Sequence, residues 1–426
     1  MVRFQWLAAV ALLSAACGTA GQPSTPATRG AASTATVTSP SATPSASLPP
    51  GKDYVPPTPF PASAGPYVVD LTWVSDSMGW ALAAVPCAGQ LCPAVAETTD
   101  GGATWQALPS PSVAFYGLYG PIPSQLADCQ QVACVSHIRF ATSKIGYLFG
   151  PSLFMTVDGG ESWQQLSSPS VESLEAAGGE VFRVVYDHDG CPGPCNRTVE
   201  EAPAGSDSWR TLLQIPEGAG LGTELDTAGL VLQGAETIYL PIYGNVAGGG
   251  DAAATLFRSL DGGQTWQELA DPCGGTNPPG NVAISFAAAS GGQLTALCFP
   301  RGGPPGWAVI TSDDGGSSWG PRRTVPGSAL DLELIAAPGP GTLVVGSPMT
   351  TGSGLVTSTL LVSTDGGEEW STAATDQIDL GSAPLGVSLW LGFEDAATGR
   401  WVGDDQTIWT TTDGGMTWTA QAFVVG

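Results

Sequence analysis

The sequence has few positively charged residues and few segments with the apolar periodicity of a helix. The first deficit limits the possible ligands, and the second limits the possible folds. Lysine and arginine together number 13, against 38 aspartates and glutamates, which gives a net charge of −25. Such an excess of negative charge repels nucleic acid and anionic lipid head groups. No segment of useful length repeats its apolar residues with a helical period, and no apolar run beyond residue 16 is long enough to span a bilayer. We therefore expect an all-β protein that does not bind nucleic acid.

The first residues have the pattern of an export signal. Arg3 precedes the apolar run 4–13, which has the length of the hydrophobic part of a signal peptide and is too short for a membrane span. Small residues then lead to Cys17, and the arrangement resembles the lipobox of bacterial lipoproteins, except that Ser14 stands where leucine is usual. The resemblance implies cleavage of residues 1–16, lipidation of Cys17, and anchoring to the outer side of the bacterial cell membrane. The alternative is an ordinary signal peptide cleaved near Ala16.

Residues 17–65 have the composition of a flexible tether. They are rich in Ser, Thr, Pro, Ala and Gly and contain almost no large apolar side chains. Such a segment cannot bury enough surface to offset the entropy lost on ordering. We expect a disordered N-terminal tether that holds a folded domain, residues 66–426, away from the membrane.

Eight cysteines remain after Cys17, and they fall into neighbouring pairs. An even number of closely spaced cysteines favours local disulfides in an oxidising compartment. The alternative is metal binding, but only one histidine, His188, lies near the most ligand-like pair, and structural zinc sites need four ligands. The sequence therefore predicts no metal, no other cofactor, and four disulfides: Cys87–Cys92, Cys129–Cys134, Cys191–Cys195 and Cys273–Cys298.

A motif of eight residues, Ser/Thr-x-Asp-x-Gly-x-x-Trp, recurs through the chain, and we call it the octapeptide repeat. A degenerate seventh copy ends at Trp209, which keeps the tryptophans 46 to 58 residues apart; without it one gap would span 103 residues, from Trp163 to Trp266. The chain therefore contains seven units. The Asp and Trp of the six clean copies are Asp100 and Trp105, Asp158 and Trp163, Asp261 and Trp266, Asp314 and Trp319, Asp365 and Trp370, and Asp413 and Trp418.

The residue types of the octapeptide repeat suit a tight hairpin. Glycine adopts positive φ without a Cβ clash, the aspartate accepts backbone N–H groups of its own turn, and the tryptophan packs against neighbouring units. Three strand-like runs precede each repeat, the third leading directly into it, and a short fourth run follows it. Four short strands about every 50 residues are typical of propeller blades. The repeat aspartates are therefore expected to build turns and not to act as catalysts.

The octapeptide repeats resemble the BNR or Asp-box repeats of sialidases, of the sortilin-type domain, of some xyloglucan-degrading glycosidases and of the photosystem II assembly/stability factor. The unit made of residues 140–147 and 158–163 is most similar to the last of these, a seven-bladed propeller. The resemblance covers residues 66–426 and implies a seven-bladed β-propeller of four-stranded antiparallel blades, expected to be monomeric. It implies no activity, because this motif builds the scaffold in all of these families.

An active site is harder to find in the sequence. Sialidases resemble one another in a triad of arginines, and here no arginine lies between Arg29 and Arg139. A glycosidase needs two carboxylates facing each other across the scissile bond. Candidates near the ends of inner strands, where they would line the mouth of the central channel, are Asp70, Asp331, Glu333 and Glu394, with Trp390 as a sugar platform. The alternative is that these are solvated residues at strand ends.

The sequence therefore assigns no catalytic residue. The leading hypothesis is a non-catalytic extracytoplasmic propeller that acts as a binding or assembly scaffold for a protein or a glycan. The alternative is an exo-acting glycoside hydrolase that uses the mouth of the central channel. The only predicted contact with the membrane is the lipid on Cys17.

Overall fold

A computed structural model describes most of the predicted folded domain. The described residues are 66–87, 90–116, 129, 132–186, 196–216, 226–244, 255–274, 281–300, 306–326, 334–350, 355–379, 390–404 and 406–426. The predicted signal and tether (1–65, with Cys17), the pair Cys191–Cys195, and the candidates Asp331 and Glu333 lie outside them. In the described part, no helix is long and apolar enough to cross a membrane.

Strands follow one another along the chain and form successive antiparallel sheets. We number the sheets as blades 1 to 7. Blade 1 contains β1 (Tyr67–Trp73), β2 (Gly79–Cys87), β3 (Gln90–Thr98) and β4 (Gln106–Leu108). A short parallel pair, β5 (Ala114–Phe115) and β6 (Cys134–Val135), precedes blade 2, which contains β7 (His137–Phe140), β8 (Gly146–Phe149), β9 (Phe154–Thr156) and β10 (Gln164–Gln165). Blade 3 contains β11 (Ser170–Ala177), β12 (Glu180–Tyr186), β13 (Arg197–Pro203) and β14 (Arg210–Ile215).

The second half of the domain repeats this plan. Blade 4 contains β15 (Asp226–Ala228), β16 (Val231–Gln233), β17 (Thr237–Gly244), β18 (Thr255–Ser259) and β19 (Gln267–Leu269). Blade 5 contains β20 (Asn281–Ala289), β21 (Gln293–Pro300), β22 (Ala308–Ser312) and β23 (Arg323–Thr324), with a 3₁₀ turn (Ser290–Gly292) between its first two strands. Blade 6 contains β24 (Leu334–Gly339), β25 (Thr342–Thr350), β26 (Leu355–Ser363) and β27 (Ser371–Asp379), and blade 7 contains β28 (Trp390–Phe393), β29 (Gly399–Asp404), β30 (Thr407–Thr411) and β31 (Thr419–Ala422).

The predicted fold, a seven-bladed β-propeller of four-stranded antiparallel blades, is confirmed. The count of seven is also confirmed, because the degenerate repeat ending at Trp209 connects β13 and β14 of blade 3. Blade 4 departs from the simple plan of four strands, because two short strands form its inner edge. β15 and β16 pair in turn with β17, so two short strands take the place of one.

The octapeptide repeats connect the third and fourth strands of their blades. In the first copy, the Thr98 hydroxyl donates to Asp100 Oδ1 at 2.8 Å and accepts the amide N–H of Gly102 at 2.9 Å. Gly101 and Gly102 have φ of 76° and 93°, which L side chains rarely adopt. The same hydroxyl and carboxylate pairing occurs in the other five clean copies.

The core lies between adjacent blades, where aromatic side chains interlock. Trp80 of blade 1 is fully buried and stacks on Phe140 of blade 2, with ring centroids 3.7 Å apart. Its indole N–H donates to the carbonyl of Gly159 in the turn of blade 2 at 3.1 Å. A Cβ on Gly146 would lie 2.6 Å from the Phe140 ring, so only glycine fits there. Burial of large aromatic rings at each such junction contributes a few kcal/mol.

The ring closes where blade 7 meets blade 1. Both blades take all four strands from their own stretch of chain, so no strand is exchanged between them. The chain after β31 instead reaches across: Val425 forms a parallel bridge with Trp105, and the Gly426 amide donates to the Trp105 carbonyl at 2.9 Å. Arg400 also crosses the junction, donating to the Asp76 carbonyl at 2.8 Å with its guanidinium carbon 4.3 Å from the Trp73 ring centroid.

Three of the predicted disulfides lie in the described part of the chain, and all three are confirmed. Their Cα atoms are 5.4 to 5.9 Å apart, which is within the range that a disulfide spans. They are Cys87–Cys92, Cys129–Cys134 and Cys273–Cys298.

Candidate functional site

Polar side chains gather on the innermost strands of blades 1, 2 and 3. Burial alternates along β7: Ile138 and Phe140 are buried, whereas the His137 and Arg139 side chains are 45% and 22% exposed. β7 contacts β1 and β11, the first strands of the two neighbouring blades, so it lies at the centre of the ring, where the inner strands line the channel. We call His137 and Arg139, with Asp70 of β1 and Glu175 of β11, the channel-wall patch.

Asp70 is the buried member of this patch, and it ties blade 1 to blade 2. A β-bulge between Val68 and Asp70 turns the carboxylate toward the neighbouring blade. There Asp70 Oδ2 accepts the Ile138 amide at 2.9 Å and Arg139 Nη1 at 3.0 Å, while Oδ1 accepts the Leu71 amide at 2.9 Å. Burial disfavours its charge, but Arg139 and the hydrogen bonds from His137 and Ile138 outweigh burial and lower the pKa of Asp70. The carboxylate is therefore ionised and fully engaged.

Arg139 connects the patch across three blades. Its Nη1 also donates to the carbonyls of Leu71 and Ile138, at 3.2 and 2.7 Å. Its Nε donates to Glu175 Oε1 of blade 3 at 2.9 Å. Burial would lower the pKa of Arg139, but the two carboxylates raise it further than burial lowers it. The guanidinium is a fixed cation clamped between two anions, as expected for charge-assisted hydrogen bonds.

His137 is the most exposed member of the patch. Its Nδ1 lies 3.4 Å from Asp70 Oδ2, and its ring lies 5.1 Å from the Phe149 ring in a stacked orientation. A carboxylate at one imidazole nitrogen fixes the orientation of the ring, which leaves the other nitrogen for a ligand. The patch therefore offers the channel a hydrogen-bonding imidazole, a rigid cation and the partly exposed carboxylate of Glu175.

Glu394, a predicted channel-mouth residue, occupies a different environment. It follows β28 in the turn to β29, and its side chain is only 7% exposed. Arg400 Nε lies 3.7 Å from its Oε1, an ion pair too long to be a hydrogen bond, and neither carboxylate oxygen has a hydrogen-bond partner among the described residues. Burial raises the pKa of Glu394 to about 7, against the opposing effect of Arg400. Glu394 therefore belongs to the junction of blades 7 and 1.

Trp390, the predicted sugar platform, lies on β28 and is half-buried. It packs against the buried cluster that joins blades 7 and 1. Its ring covers Gly392 so closely that a Cβ there would lie 2.5 Å away. The structure thus brings Trp390 and Glu394 near the same junction but does not place either beside Asp70.

The carboxylates of the repeat aspartates accept hydrogen bonds from residues of their own turns. Asp158 Oδ1 accepts the Thr156 hydroxyl and the Ser162 amide, and its Oδ2 accepts the Ser162 hydroxyl at 2.6 Å. The Ser162 hydroxyl, followed by that of Thr156, lowers the pKa of Asp158 to about 2. In the sixth unit Glu369 replaces the second hydroxyl residue. Asp365 therefore accepts the backbone amide of Glu369 but no side-chain hydroxyl from that position. These carboxylates hold turns, and a ligand would have to displace those bonds.

Sequence reasoning found Asp70 but not the three residues around it. His137, Arg139 and Glu175 lie 67 to 105 positions beyond Asp70 in the chain, so no local motif joins them. The available signal was the alternation His137-Ile138-Arg139-Phe140 on a predicted inner strand, which places both polar residues on one face. No group of three or more His, Cys, Asp or Glu side chains among the described residues is arranged to hold a metal ion.

Comparison with known proteins supports the fold. The sequence matches no protein-family profile and no curated protein. A structure of YCF48 bound to a D1 peptide has a TM-score of 0.50 at 18% identity, over 84% of this chain and 96% of that one. An ulvan lyase of polysaccharide lyase family PL25, bound to -[GlcA(1-4)Rha3S]-, has a TM-score of 0.52 at 10% identity, over 82% and 92%.

A third similar structure belongs to a larger enzyme. The acylaminoacyl peptidase of Pyrococcus horikoshii has a TM-score of 0.50 at 10% identity, over 84% of this chain and 52% of that chain. At such identities the likeness shows the propeller fold alone. Propellers with similar architecture thus include a peptide-bound protein and enzymes of different chemistry, and the fold does not decide between these functions.

Proposed function

We propose that this protein is a non-catalytic binding propeller, exported and anchored through Cys17, that holds a protein or a glycan at the channel-wall patch. The observation that carries the proposal is the linkage of Asp70, Arg139 and Glu175 across three adjacent blades. A rigid set of donors and acceptors on a strand scaffold is suited to recognition, because little side-chain entropy is lost when a ligand binds.

The bonding of the carboxylates favours binding over hydrolysis. A glycosidase needs one carboxyl group as acid and another as base or nucleophile, both within reach of the substrate. Asp70 is buried and bonded through both oxygens, and Glu394 is buried against Arg400. The described carboxylates that sequence reasoning had proposed therefore do not form a facing pair, and Asp331 and Glu333 lie outside the described residues.

The chemistry of the patch indicates which ligand groups it would bind. Arg139 and His137 suit carbonyl, carboxylate or hydroxyl oxygens, and Glu175 suits hydroxyl or N–H donors. Peptides and sugars both present these groups. The similar structures named above include one with a bound peptide and one with a bound acidic sugar, so the proposal keeps both ligand classes.

The test is a binding screen with variants that spare the buried Asp70–Arg139 pair. The full chain would be applied to glycan and peptide arrays, and the strongest ligand measured by calorimetry against His137→Ala and Glu175→Gln. We expect each variant to raise Kd about tenfold, the loss of about one charge-assisted hydrogen bond. Glu161→Gln is the matched control, because Glu161 is an exposed glutamate in the outer turn of blade 2, and its Kd should not change.

Two results would contradict the proposal. Ligand binding that is indifferent to both patch variants would place the site elsewhere. Turnover of chromogenic glycosides that Glu394→Gln abolishes would favour the alternative, an exo-acting glycoside hydrolase.

A further inference from the structure

The outer strand of blade 6 is unusually long. β27 has nine residues, whereas the outer strands of the other blades have two to six. Its partner β26 also has nine, and the two stay in continuous register from the pair Leu360–Ala374 to the pair Leu355–Asp379. Blade 6 therefore presents a regular strand edge that the other blades lack.

β27 is the outermost strand of blade 6 among the described residues. Its ladder partner there is β26 alone, and alternate backbone N–H and C=O groups of an edge strand point away from the sheet. Proteins protect such edges with lysine, proline or short strands. The segment Ser371–Asp379 contains no lysine, arginine or proline, and its bulge lies near its start, between Thr372 and Ala374, so the run from Ala374 to Asp379 lacks these protections.

β27 is also held in place before any partner arrives. The indole N–H of Trp409, on blade 7, donates to Asp376 Oδ2 at 2.8 Å, while Ala374 is buried against the sheet. Thr372 and Thr375 are exposed and small, so they leave room beside the backbone. A rigid edge with small side chains favours strand addition, because the ordering cost falls on the incoming segment alone.

We propose that the outer edge of β27 binds an extended, positively charged peptide segment of a partner protein as an additional strand of blade 6. Backbone complementarity requires an extended peptide, since only another strand matches the spacing of the free N–H and C=O groups. The charge follows from the net charge of −25 and from Glu369 in the exposed turn before β27, whereas its neighbour Glu368 is already paired with Arg323. A second copy of this chain would place its own acidic turn next to the acidic turn of the first. Repulsion between these like charges disfavours pairing between two identical β27 edges.

This inference extends the proposed binding function to a second surface and does not depend on the channel-wall patch. Because β27 is the outermost strand of blade 6 and the patch lies on the innermost strands of blades 1 to 3, the two sites can fail separately. Variants of His137 and Glu175 should leave binding at the edge unchanged, and variants of β27 should leave binding at the patch unchanged.

The probe is a fluorescein-labelled peptide of about ten residues with alternating lysine and valine, a length that matches β27. Its binding to the full chain would be followed by fluorescence anisotropy. We expect Thr375→Lys to raise Kd at least about tenfold, because a lysine blocks the edge and repels the peptide. Thr419→Lys, at an exposed position on the short outer strand β31, is the matched control and should change Kd less than about twofold.

A second peptide separates strand pairing from simple charge attraction. Alternating lysine and proline keeps the charge but cannot pair as a strand, so it should bind at least about tenfold more weakly to the unaltered protein. Equal binding of the two peptides would overturn the proposal, as would equal binding to the Thr375→Lys variant or no binding at up to about 1 mM peptide. Sedimentation that shows a dimer dissociated by Thr375→Lys would also overturn it, in favour of self-association.

Discussion

Replacing Glu394 by glutamine should stabilise the propeller above neutral pH and have little effect in mild acid. Glu394 is buried at the junction of blades 7 and 1, and its charge is only partly compensated by Arg400, 3.7 Å away. Arg400 itself is 1% exposed and donates across the junction to the Asp76 carbonyl. Glutamine keeps the shape of the side chain and removes the charge, so the substitution isolates the effect of ionisation.

The expected magnitude follows from the pKa. Burial raises the pKa of Glu394 from 4.5 to about 7 in the folded protein. Between these values the unfolded chain releases the proton while the folded chain keeps it, so stability falls as pH rises and the loss is complete above about pH 7. The loss relative to strong acid is about 1 kcal/mol at pH 5 and about 3 kcal/mol at pH 8. The Glu394→Gln variant should therefore gain about 2 to 3 kcal/mol over the unaltered protein between pH 5 and pH 8.

The assay is urea unfolding monitored by tryptophan fluorescence, with both proteins measured at several pH values from 5 to 8. Taking the difference in unfolding free energy removes the contribution of every other titrating group. Asp395→Asn is the matched control next in sequence: the Thr398 amide, followed by that of Ala397, lowers the pKa of Asp395. Its stabilisation is fully present above the unfolded pKa and is lost only as pH falls through the folded pKa, so its difference should be flat over this range.

Two outcomes would refute this reasoning. A difference between Glu394→Gln and the unaltered protein that stays constant from pH 5 to pH 8 would mean that folding does not raise the pKa of Glu394. A variant that is less stable than the unaltered protein at pH 8 would mean that the Glu394 charge stabilises the fold there, because Arg400 outweighs burial.

Two further predictions concern the links within and between blades. Asp70→Asn should destabilise the protein by about 3 kcal/mol, because it leaves a largely buried arginine with one partner fewer; an unfolding midpoint in urea equal to that of the unaltered protein would contradict this. Removing the Cys273–Cys298 disulfide, which closes a loop of 25 residues, should cost about 3 to 4 kcal/mol, against about 2 kcal/mol for Cys87–Cys92 with a separation of 5. Paired Cys→Ser variants compared by thermal unfolding test this order, and equal or reversed losses would count against the loop-entropy argument.

The architecture could be predicted because its determinants are local in sequence. The octapeptide repeat holds its own turn through contacts two and four residues apart, such as Thr98 to Asp100 and Thr98 to Gly102. Its seven occurrences gave the number of blades, including the degenerate copy at Trp209. Sequence reasoning was less accurate in blade 4, where two short strands replace the expected single inner strand, because the choice depends on pairing with β17.

The candidate site could be predicted only in part. Asp70 was singled out as a carboxylate on an inner strand, but its partner Arg139 lies 69 residues away, and such distant pairs leave no pattern in one sequence. Glu394 was expected at the channel mouth, and the structure adds its pairing with Arg400, a residue that itself packs over Trp73 in the contact between the last blade and the first.

The sequence by itself determined the turns, the disulfides between close neighbours and the number of blades, since each depends on residues a few positions apart or on a simple count. Only the tertiary structure decided which carboxylates are engaged and which are exposed. Asp70 is buried but accepts a hydrogen bond from an arginine, so it stays ionised and holds two blades together. Glu394 is buried without a hydrogen bond to Arg400, so it keeps its proton to near neutral pH. That difference depends on burial and on the distance between each carboxylate and its arginine, which only the folded chain sets. The tertiary structure also places the channel-wall patch on inner strands, apart from the repeats that connect the third and fourth strands.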